Sequence, residues 1–351
     1  MRRNILLLVT VIFIGFLFVG GGCESQYLTA GKVYRQSGQY DKAIEQFKLA
    51  IKAEPQNAKA YLWLGRTYGD KNMWKEAAEN FDKAYKLNKE ETAKEIKAEK
   101  SIPNPYWIAY YNAGLMCFKE KDYENSKKYV EDALKIASNK KEKTDTYLLY
   151  GSILNAMGDE KGAMEKYKEV LKIDPKNALA YQKIGGYYIN NNKIKESIPY
   201  LEKATELDST NSSFFFILGY GYLRNGEMEK AVNAFKRSIE IDSTNASAYH
   251  DLAITYFNMK KIKEGIEPLK KAIELYNKNG VPNDDAYNRL GLAYYQLKDY
   301  TNAISVSKES LEKNPNNCEA IKIIVQCYSD QGQRKLGEKY YKILKERCPN
   351  Q

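Results

Sequence analysis

A 34-residue repeat most limits what this chain can fold into. Between Ala178 and Asn245 two blocks of that length follow each other without a gap, and the same residue types return at the same offsets. The paired positions are Tyr181, Ile184, Gly185, Tyr188, Ser197, Leu201 and Ala204 in the first block, and Phe215, Leu218, Gly219, Tyr222, Ala231, Phe235 and Ser238 in the second. Self-similarity at this period is typical of solenoids, in which each unit packs only against its neighbours.

Indexing the repeat along all 351 residues predicts nine units. They begin at Glu24, Ala58, Trp107, Thr144, Ala178, Ser212, Ala246, Asp284 and Cys318. Glycine returns at the eighth position of seven units, although it costs about 1 kcal/mol relative to alanine inside a helix. We therefore expect a second helix to approach closely there, with its own small residue. Tyrosines recur at positions four and eleven, where we expect them to fill the core.

These residues resemble the tetratricopeptide repeat, in which an aromatic, Leu, Gly and Tyr on one helix are followed by Ala, Phe and Ala on a second. The resemblance implies an all-α, right-handed superhelical α-solenoid of about nine helix-turn-helix pairs. The asparagines that precede several first helices are predicted N-caps, namely Asn57, Asn177, Asn211, Asn245 and Asn317. We predict repeats one and two over 24–91, an insert or spacer over 92–106, whose charged residues could prolong the preceding helix, and repeats three to nine over 107–351.

The N-terminal segment predicts export. Arg2 and Arg3 precede an apolar run from Ile5 to Val19, and three glycines then lead to Cys23. The cysteine after small residues resembles a bacterial lipoprotein processing site, which implies a signal peptide over 1–22 and lipidation of Cys23. An uncleaved membrane anchor is the alternative, because the apolar segment is close to the roughly 20 residues that span a bilayer. Either way we expect a membrane-tethered protein of a bacterial cell envelope, periplasmic or surface-facing.

The composition argues against catalysis and against metal binding. The chain carries 55 basic and 45 acidic residues, and both kinds of charge occur in every repeat. The surplus of basic residues is therefore interpreted first as part of a solvated surface. It has one histidine, and no cysteine pair has zinc spacing, so the sequence predicts no metal site, no cofactor and no enzyme. Cys318 and Cys348 flank the last predicted helix pair at the same end, where a disulfide is possible in an exported protein.

The family resemblance also nominates a binding groove. In tetratricopeptide repeats an inner wall is lined by fixed positions of the first helices. These fall here on Tyr111, Phe118, Phe216, Tyr220, Arg224, Ile254, Phe257 and Tyr295, among others. We expect none of them to be needed for packing within the repeats. A strip of aromatic and aliphatic side chains suits an extended peptide or a partner helix. Lys32, Arg35 and Arg66 mark a possible anion-binding end of the wall.

The sequence therefore predicts a non-enzymatic scaffold for protein–protein interaction, an exported lipoprotein whose groove serves the assembly of a cell-envelope complex. A protein or peptide is the expected partner, with the membrane contacted through the N-terminal lipid or anchor and no small-molecule substrate. The alternative is an uncleaved-anchor protein that binds an anionic or nucleic-acid partner through its basic N-terminal repeats. Nucleic acid is the less favoured partner, because most aromatic residues are committed to packing and export removes the substrate.

Overall fold

The computed structural model describes residues 25–101 and 103–349, which form helices and no strand. Cys23, and with it the predicted signal segment, lies outside the described residues. The chain divides after Ser138 into two compact units. The first contains α1 (Gln26–Gln36), α2 (Tyr40–Ala53), α3 (Ala58–Asp70), α4 (Trp74–Leu87), α5 (Lys89–Ala98), α6 (Pro105–Lys119) and α7 (Tyr123–Ile136).

The second unit contains twelve helices, all within residues 139–349. They are α8 (Lys140–Ala156), α9 (Glu160–Ile173), α10 (Ala178–Asn190), α11 (Ile194–Leu207), α12 (Ser212–Asn225), α13 (Met228–Ile241), α14 (Ala246–Asn258), α15 (Ile262–Lys278), α16 (Asp284–Gln296), α17 (Tyr300–Lys313), α18 (Cys318–Asp330) and α19 (Arg334–Arg347). Apart from α5, the described helices form nine consecutive pairs, which confirms the all-α fold class of helix-turn-helix repeats.

Helix starts follow local capping. All five predicted asparagine N-caps are confirmed, and each side chain accepts a hydrogen bond from a backbone N–H in the first turn of its helix. The turn between the two helices of each pair contains a residue with positive φ at the fifteenth position of the repeat. The sequence pattern had not predicted this position. Glycine occupies it at four turns, and a lysine or an asparagine at the other five (Gly38, Asn72, Lys121, Gly158, Asn192, Gly226, Lys260, Lys298, Gly332).

The recurring glycine allows the two helices of a pair to interlock. A Cβ built on Gly65 would lie 2.5 Å from the ring of Phe81 and 3.0 Å from the carbonyl oxygen of Ala77. Ala77 is the small residue of the second helix, so the predicted close approach is confirmed. The large side chain four residues later occupies the space that the glycine leaves open. In the seventh pair the roles are exchanged, since α14 carries Ala253 and α15 carries Gly265 at these places.

The tyrosines at positions four and eleven are buried or half-buried, and none of the fourteen is exposed. Three of them donate their hydroxyls to a carboxylate on a neighbouring helix: Tyr110 to Asp82 at 2.6 Å, Tyr222 to Glu202 at 2.5 Å and Tyr287 to Glu309 at 2.8 Å. The rings therefore fill the core while their polar ends reach its edge, as expected for a large amphipathic side chain.

The insert does not prolong the preceding helix, contrary to the expectation for its charged residues. Helix α4 ends at Leu87, and Asn88 caps a separate helix, α5, by accepting a hydrogen bond from the N–H of Glu91. Thr92 is buried, and Ile96 packs against the core cluster that contains Phe81. The insert is thus packed onto the first unit instead of being only a solvated spacer. Asn104 then caps α6, with Pro105 in its first turn.

Candidate functional site

The predicted groove residues of α12 lie along one face of that helix, four residues apart. Phe216 and Tyr220 are half-buried, and Arg224 is exposed. The ring of Phe216 rests 6.0 Å from that of Phe235, while the guanidinium of Arg224 donates to the hydroxyl of Tyr220 at 3.0 Å. Helix α12 lies beside both α10 and α14, the other first helices next to it. We call the surface formed by these neighbouring first helices the first-helix wall. The role of the three side chains in binding stays a prediction.

Arg224 also joins neighbouring repeats. Its second guanidinium nitrogen donates to the side-chain oxygen of Asn192, in the turn that follows α10, at 3.1 Å. This contact fixes the direction of the Arg224 side chain, and the guanidinium lies 5.7 Å from the centroid of the Tyr220 ring. The pair thus presents an aromatic face and a positive charge side by side. Such a surface suits a partner that offers an apolar group next to a carboxylate.

The groove residues of α14 and α16 are only partly available. A Cβ on Gly265 would lie 2.3 Å from the ring of Phe257, so this ring fills the gap opposite that glycine. The expectation that no groove residue is needed for internal packing is wrong for Phe257, because its partner helix has no side chain there. Ile254 remains half-buried. The hydroxyl of Tyr295 donates to Asp330 at 2.7 Å, which raises the pKa of Tyr295.

Two groove residues belong to the first unit. The ring of Tyr111 stacks on Trp107 with the ring centroids 4.8 Å apart, and Phe118 lies 5.8 Å from Tyr123. Both side chains are half-buried on α6. The ring of Tyr111 is stacked on its neighbour, whereas that of Phe118 is tilted against its own. Each ring is held in place and keeps part of its surface accessible, so these two residues are suited to contact a partner. Their role in binding stays a prediction.

The three residues of the predicted anion-binding end converge on one indole ring. The Lys32 ammonium and the Arg66 guanidinium each lie 4.9 Å from the centroid of Trp63, and the Arg35 guanidinium lies 5.6 Å from it. Cations over an indole face are attracted by its quadrupole. Trp63 therefore gathers these side chains from α1 and α3 into one place, and the sequence had not identified it as their centre.

Acidic side chains already neutralise two of these cations. Arg35 forms two hydrogen bonds with Asp70, at 2.6 and 3.1 Å, and Arg66 approaches Glu99 to 3.5 Å. Hydrogen bonds from Ser101 to Glu99, together with the Arg66 charge, lower the pKa of that carboxyl. An external anion would have to displace these carboxylates, which weighs against strong anion binding here. Anion binding by Lys32, Arg35 and Arg66 stays a prediction.

Pairs across neighbouring repeats are a feature that sequence reasoning missed. Arg35 bonds to Asp70 and Tyr295 to Asp330, and in both cases the partners are 35 residues apart. They occupy the twelfth position of one repeat and the thirteenth of the next. A donor followed by an acid one residue beyond the repeat period is the signal that would have identified these links.

The last helix pair is closed by a disulfide. Cys318 and Cys348 are bonded, with their Cα atoms 6.1 Å apart, which lies in the usual range for such bridges. Cys348 is buried with Ile321 and Leu344. Cys117 and Cys327 are free and buried.

Within residues 25–101 and 103–349, no group of three or more His, Cys, Asp or Glu side chains could hold a metal ion. None of the helices described is both long enough and apolar enough for a membrane span.

Comparison with known proteins agrees with this architecture. Family models described as tetratricopeptide or TPR repeats match residues 31–72, 58–91, 108–140, 144–177 and 284–317, and a model for subunit 3 of the anaphase-promoting complex matches residues 190–272. A TPR repeat-containing protein of Methanocaldococcus jannaschii is 25% identical over 50% of this chain, and the match spans only 31% of that protein. The photosystem I assembly protein of Prochlorococcus marinus is 28% identical over 37% of this chain and 78% of its own length.

Solved structures show the same fold. The C-terminal part of a TPR repeat-containing protein from Cytophaga hutchinsonii superposes with a TM-score of 0.56 at 22% identity, covering 74% of this chain and 98% of that one. The pilF protein of Pseudomonas aeruginosa superposes with a TM-score of 0.52 at 19% identity, covering 63% of this chain and 97% of its own. At these identities the likeness concerns the fold alone.

Proposed function

The chain is a tetratricopeptide repeat protein, and we propose that it is a non-enzymatic scaffold whose first-helix wall binds an extended peptide or a partner helix. Proteins of this family bind protein or peptide partners. A relative whose name describes it as an assembly protein for photosystem I supports a role in building a complex. The face of α12 carries the proposal, because Phe216, Tyr220 and Arg224 offer an aromatic strip with a charge at its end.

The proposed place of action is the cell envelope. The basic flank, the apolar run and Cys23 support export followed by lipidation of that cysteine. A lipid there would leave only two residues before α1, so the first repeats would lie close to the bilayer surface. We propose that the scaffold serves the assembly of an envelope complex in this position. The disulfide between Cys318 and Cys348 supports an oxidising compartment, since such bonds are rare in the cytosol.

Site-specific cross-linking tests the binding wall. A photo-reactive amino acid replaces Tyr220 in one form of the full chain and Tyr341 in another, and both are cross-linked in intact cells. Tyr341 is the matched control, because it is 49% exposed on a second helix and has Lys345 next to it in the same aromatic-cation arrangement. We expect a discrete cross-linked partner from position 220 and none from position 341.

Paired substitutions then measure what the wall contributes. The change of Tyr220→Ala with Arg224→Ala should weaken binding of the cross-linked partner by at least about tenfold, as expected when central interface residues are truncated. The change of Tyr341→Ala with Lys345→Ala should leave it unchanged. Equal binding by both variants would contradict the assignment of the wall.

A further inference from the structure

A cavity lies in the first unit, and none of the predicted groove residues lines it. Its volume is about 900 Å³, at the upper end of the range for binding pockets. The C-terminal half of α4 and the helix α5 line one part of it, and α6 and α7 line the rest. The cavity exists because the insert forms a separate helix beside α4. The spacing of the repeats alone would not have predicted it.

The floor of this cavity is apolar. Phe81 and Tyr110 are buried at its base, and Ile96 and Ile136 are half-buried at its sides. Tyr85 lies at the rim and is 41% exposed, which places it among the most exposed large apolar side chains of the described chain. A large apolar side chain from a partner would find its contacts here. Burial of such a side chain contributes about 1.5–3 kcal/mol.

The acidic side chains at the cavity are already engaged. Asp82 accepts hydrogen bonds from Tyr110 at 2.6 Å and from Lys128 at 3.3 Å. Asp132 accepts from Lys135 at 2.7 Å, and Glu99 accepts from Ser101. None of these carboxylates is left to balance another lysine.

Three lysines of the cavity have no acidic partner among the described residues, namely Lys86 on α4 and Lys89 and Lys97 on α5. All three are exposed. Lys89 lies 5.9 Å from the ring of Tyr85, so positive charge and apolar surface adjoin at the rim. The mouth of the cavity is therefore positively charged above an apolar floor. This combination favours a ligand that is both anionic and apolar.

We propose that this cavity is a second binding site, which takes an acidic peptide segment carrying a large apolar side chain. The unpaired lysines are spread over two helices, so one carboxylate could not satisfy them all. A segment with several acidic residues around one aromatic or aliphatic side chain can pair with them and fill the floor. The site lies on α4, α5, α6 and α7, and its lining shares no residue with the wall that binds the partner in the proposed function.

Calorimetric titration of the full-length chain with synthetic peptides tests the site. The probe is Glu-Glu-Leu-Phe-Glu-Glu-Leu-Glu. One control peptide replaces Leu and Phe by Ser, and a second replaces every Glu by Gln. We expect the probe to bind, both control peptides to bind at least about tenfold more weakly, and added salt to weaken the probe because exposed charges are screened. Binding of the Gln peptide as tight as that of the probe would overturn the proposal.

Charge reversal locates the binding. The triple variant Lys86→Glu, Lys89→Glu and Lys97→Glu should bind the probe at least about tenfold more weakly. The control variant is Lys161→Glu, Lys195→Glu and Lys263→Glu, which makes the same change in net charge at exposed positions of the second unit. It should retain binding. Equal loss in both variants would mean that only net charge matters and would overturn the site.

Two further measurements test the apolar contact and distinguish a peptide from a lipid surface. Tyr85→Ser should weaken binding of the probe and change the unfolding midpoint little, since the side chain lies at the rim and is 41% exposed. Unchanged affinity would contradict the apolar part of the proposal. Vesicles of phosphatidylglycerol are tested in parallel. Lysine-dependent binding to vesicles without binding to the peptide would overturn the peptide assignment in favour of a lipid surface.

Discussion

The side chain of Leu201 occupies the space in which a side chain at Gly185 would have to lie. A Cβ built on Gly185 would come within 2.5 Å of one methyl carbon of Leu201 and 2.6 Å of its branch carbon. Leu201 is fully buried, so it has little freedom to move aside. The next residue of α10, Gly186, has nothing within 4 Å of the same position. A side chain would therefore clash at Gly185, whereas there is room for one at the adjacent Gly186.

Alanine substitution should separate these two glycines. We expect Gly185→Ala to lower the free energy of unfolding by about 1–2 kcal/mol, because overpacking of the Leu201 side chain outweighs the gain in helix propensity. We expect Gly186→Ala to raise it by up to about 1 kcal/mol, because only the propensity gain applies. Urea unfolding followed by circular dichroism measures both. A stabilised Gly185→Ala variant would show that the helices are packed less closely than described.

Two tyrosines of α6 should respond differently to loss of the hydroxyl. Tyr110→Phe removes the hydrogen bond to the Asp82 carboxylate and should cost about 1–2 kcal/mol. The hydroxyl of Tyr106 is buried and makes no hydrogen bond within the described part of the chain, so Tyr106→Phe should be neutral or stabilising by up to about 1 kcal/mol. The difference in urea midpoint between the variants is the measurement. Equal effects would contradict the assigned hydrogen bond.

Alkaline pH should unfold the protein through its buried tyrosines. Burial raises the pKa of Tyr106 to about 12, whereas an unfolded tyrosine titrates near 10. The neutral hydroxyl is thus favoured in the folded state, so its contribution is complete below pH 10 and is lost as pH rises from 10 to 12. Tyr106→Phe should flatten this loss, which is measured by urea midpoints at pH 9 and pH 11.5. Parallel profiles for the variant and the parent chain would contradict the shift.

The disulfide should stabilise the last helix pair. The cysteines are 30 residues apart, and closing a loop of that length contributes about 3–4 kcal/mol in the chain-entropy description. We expect the variant with Cys318→Ser and Cys348→Ser to exchange the amide protons of α18 and α19 much faster than the parent chain. Reductant should accelerate exchange in the parent and have no further effect on the variant. Mass spectrometry of unreduced protein that finds both thiols free would refute the bridge.

Lipidation is tested at one residue. Cells that express the chain with Cys23→Ser should fail to incorporate radiolabelled palmitate into it, while the parent chain is labelled. Serine cannot form the thioether by which a lipid is attached to cysteine. Mass spectrometry of the N-terminal peptide provides the second measurement. An unlabelled parent chain that stays in the membrane with its first residues intact would establish the uncleaved anchor instead.

Local signals made much of the repeat architecture predictable. Six of the nine predicted unit starts coincide with the first residue of a helix, among them Ala58, Ala178 and Cys318. The asparagine caps were equally readable, because a cap acts through a backbone N–H two or three residues away. The starts of α1, α6 and α8 differ by two to four residues. The caps there are Ser25, Asn104 and Asn139, so local capping and not the repeat period sets where these helices begin.

The residue pattern was therefore enough to predict the paired helices, their order and the register of the small residues, since each depends on neighbours within one repeat. It did not predict α5. Which wall residues are available to a partner depends instead on contacts between different helices. The ring of Phe257 fills the space opposite Gly265, and Arg35 is paired with Asp70, 35 residues away. The packing of α5 beside α4, α6 and α7 likewise creates a cavity. These features depend on how separate helices approach one another in space, and such distances are not written in any local pattern of residues.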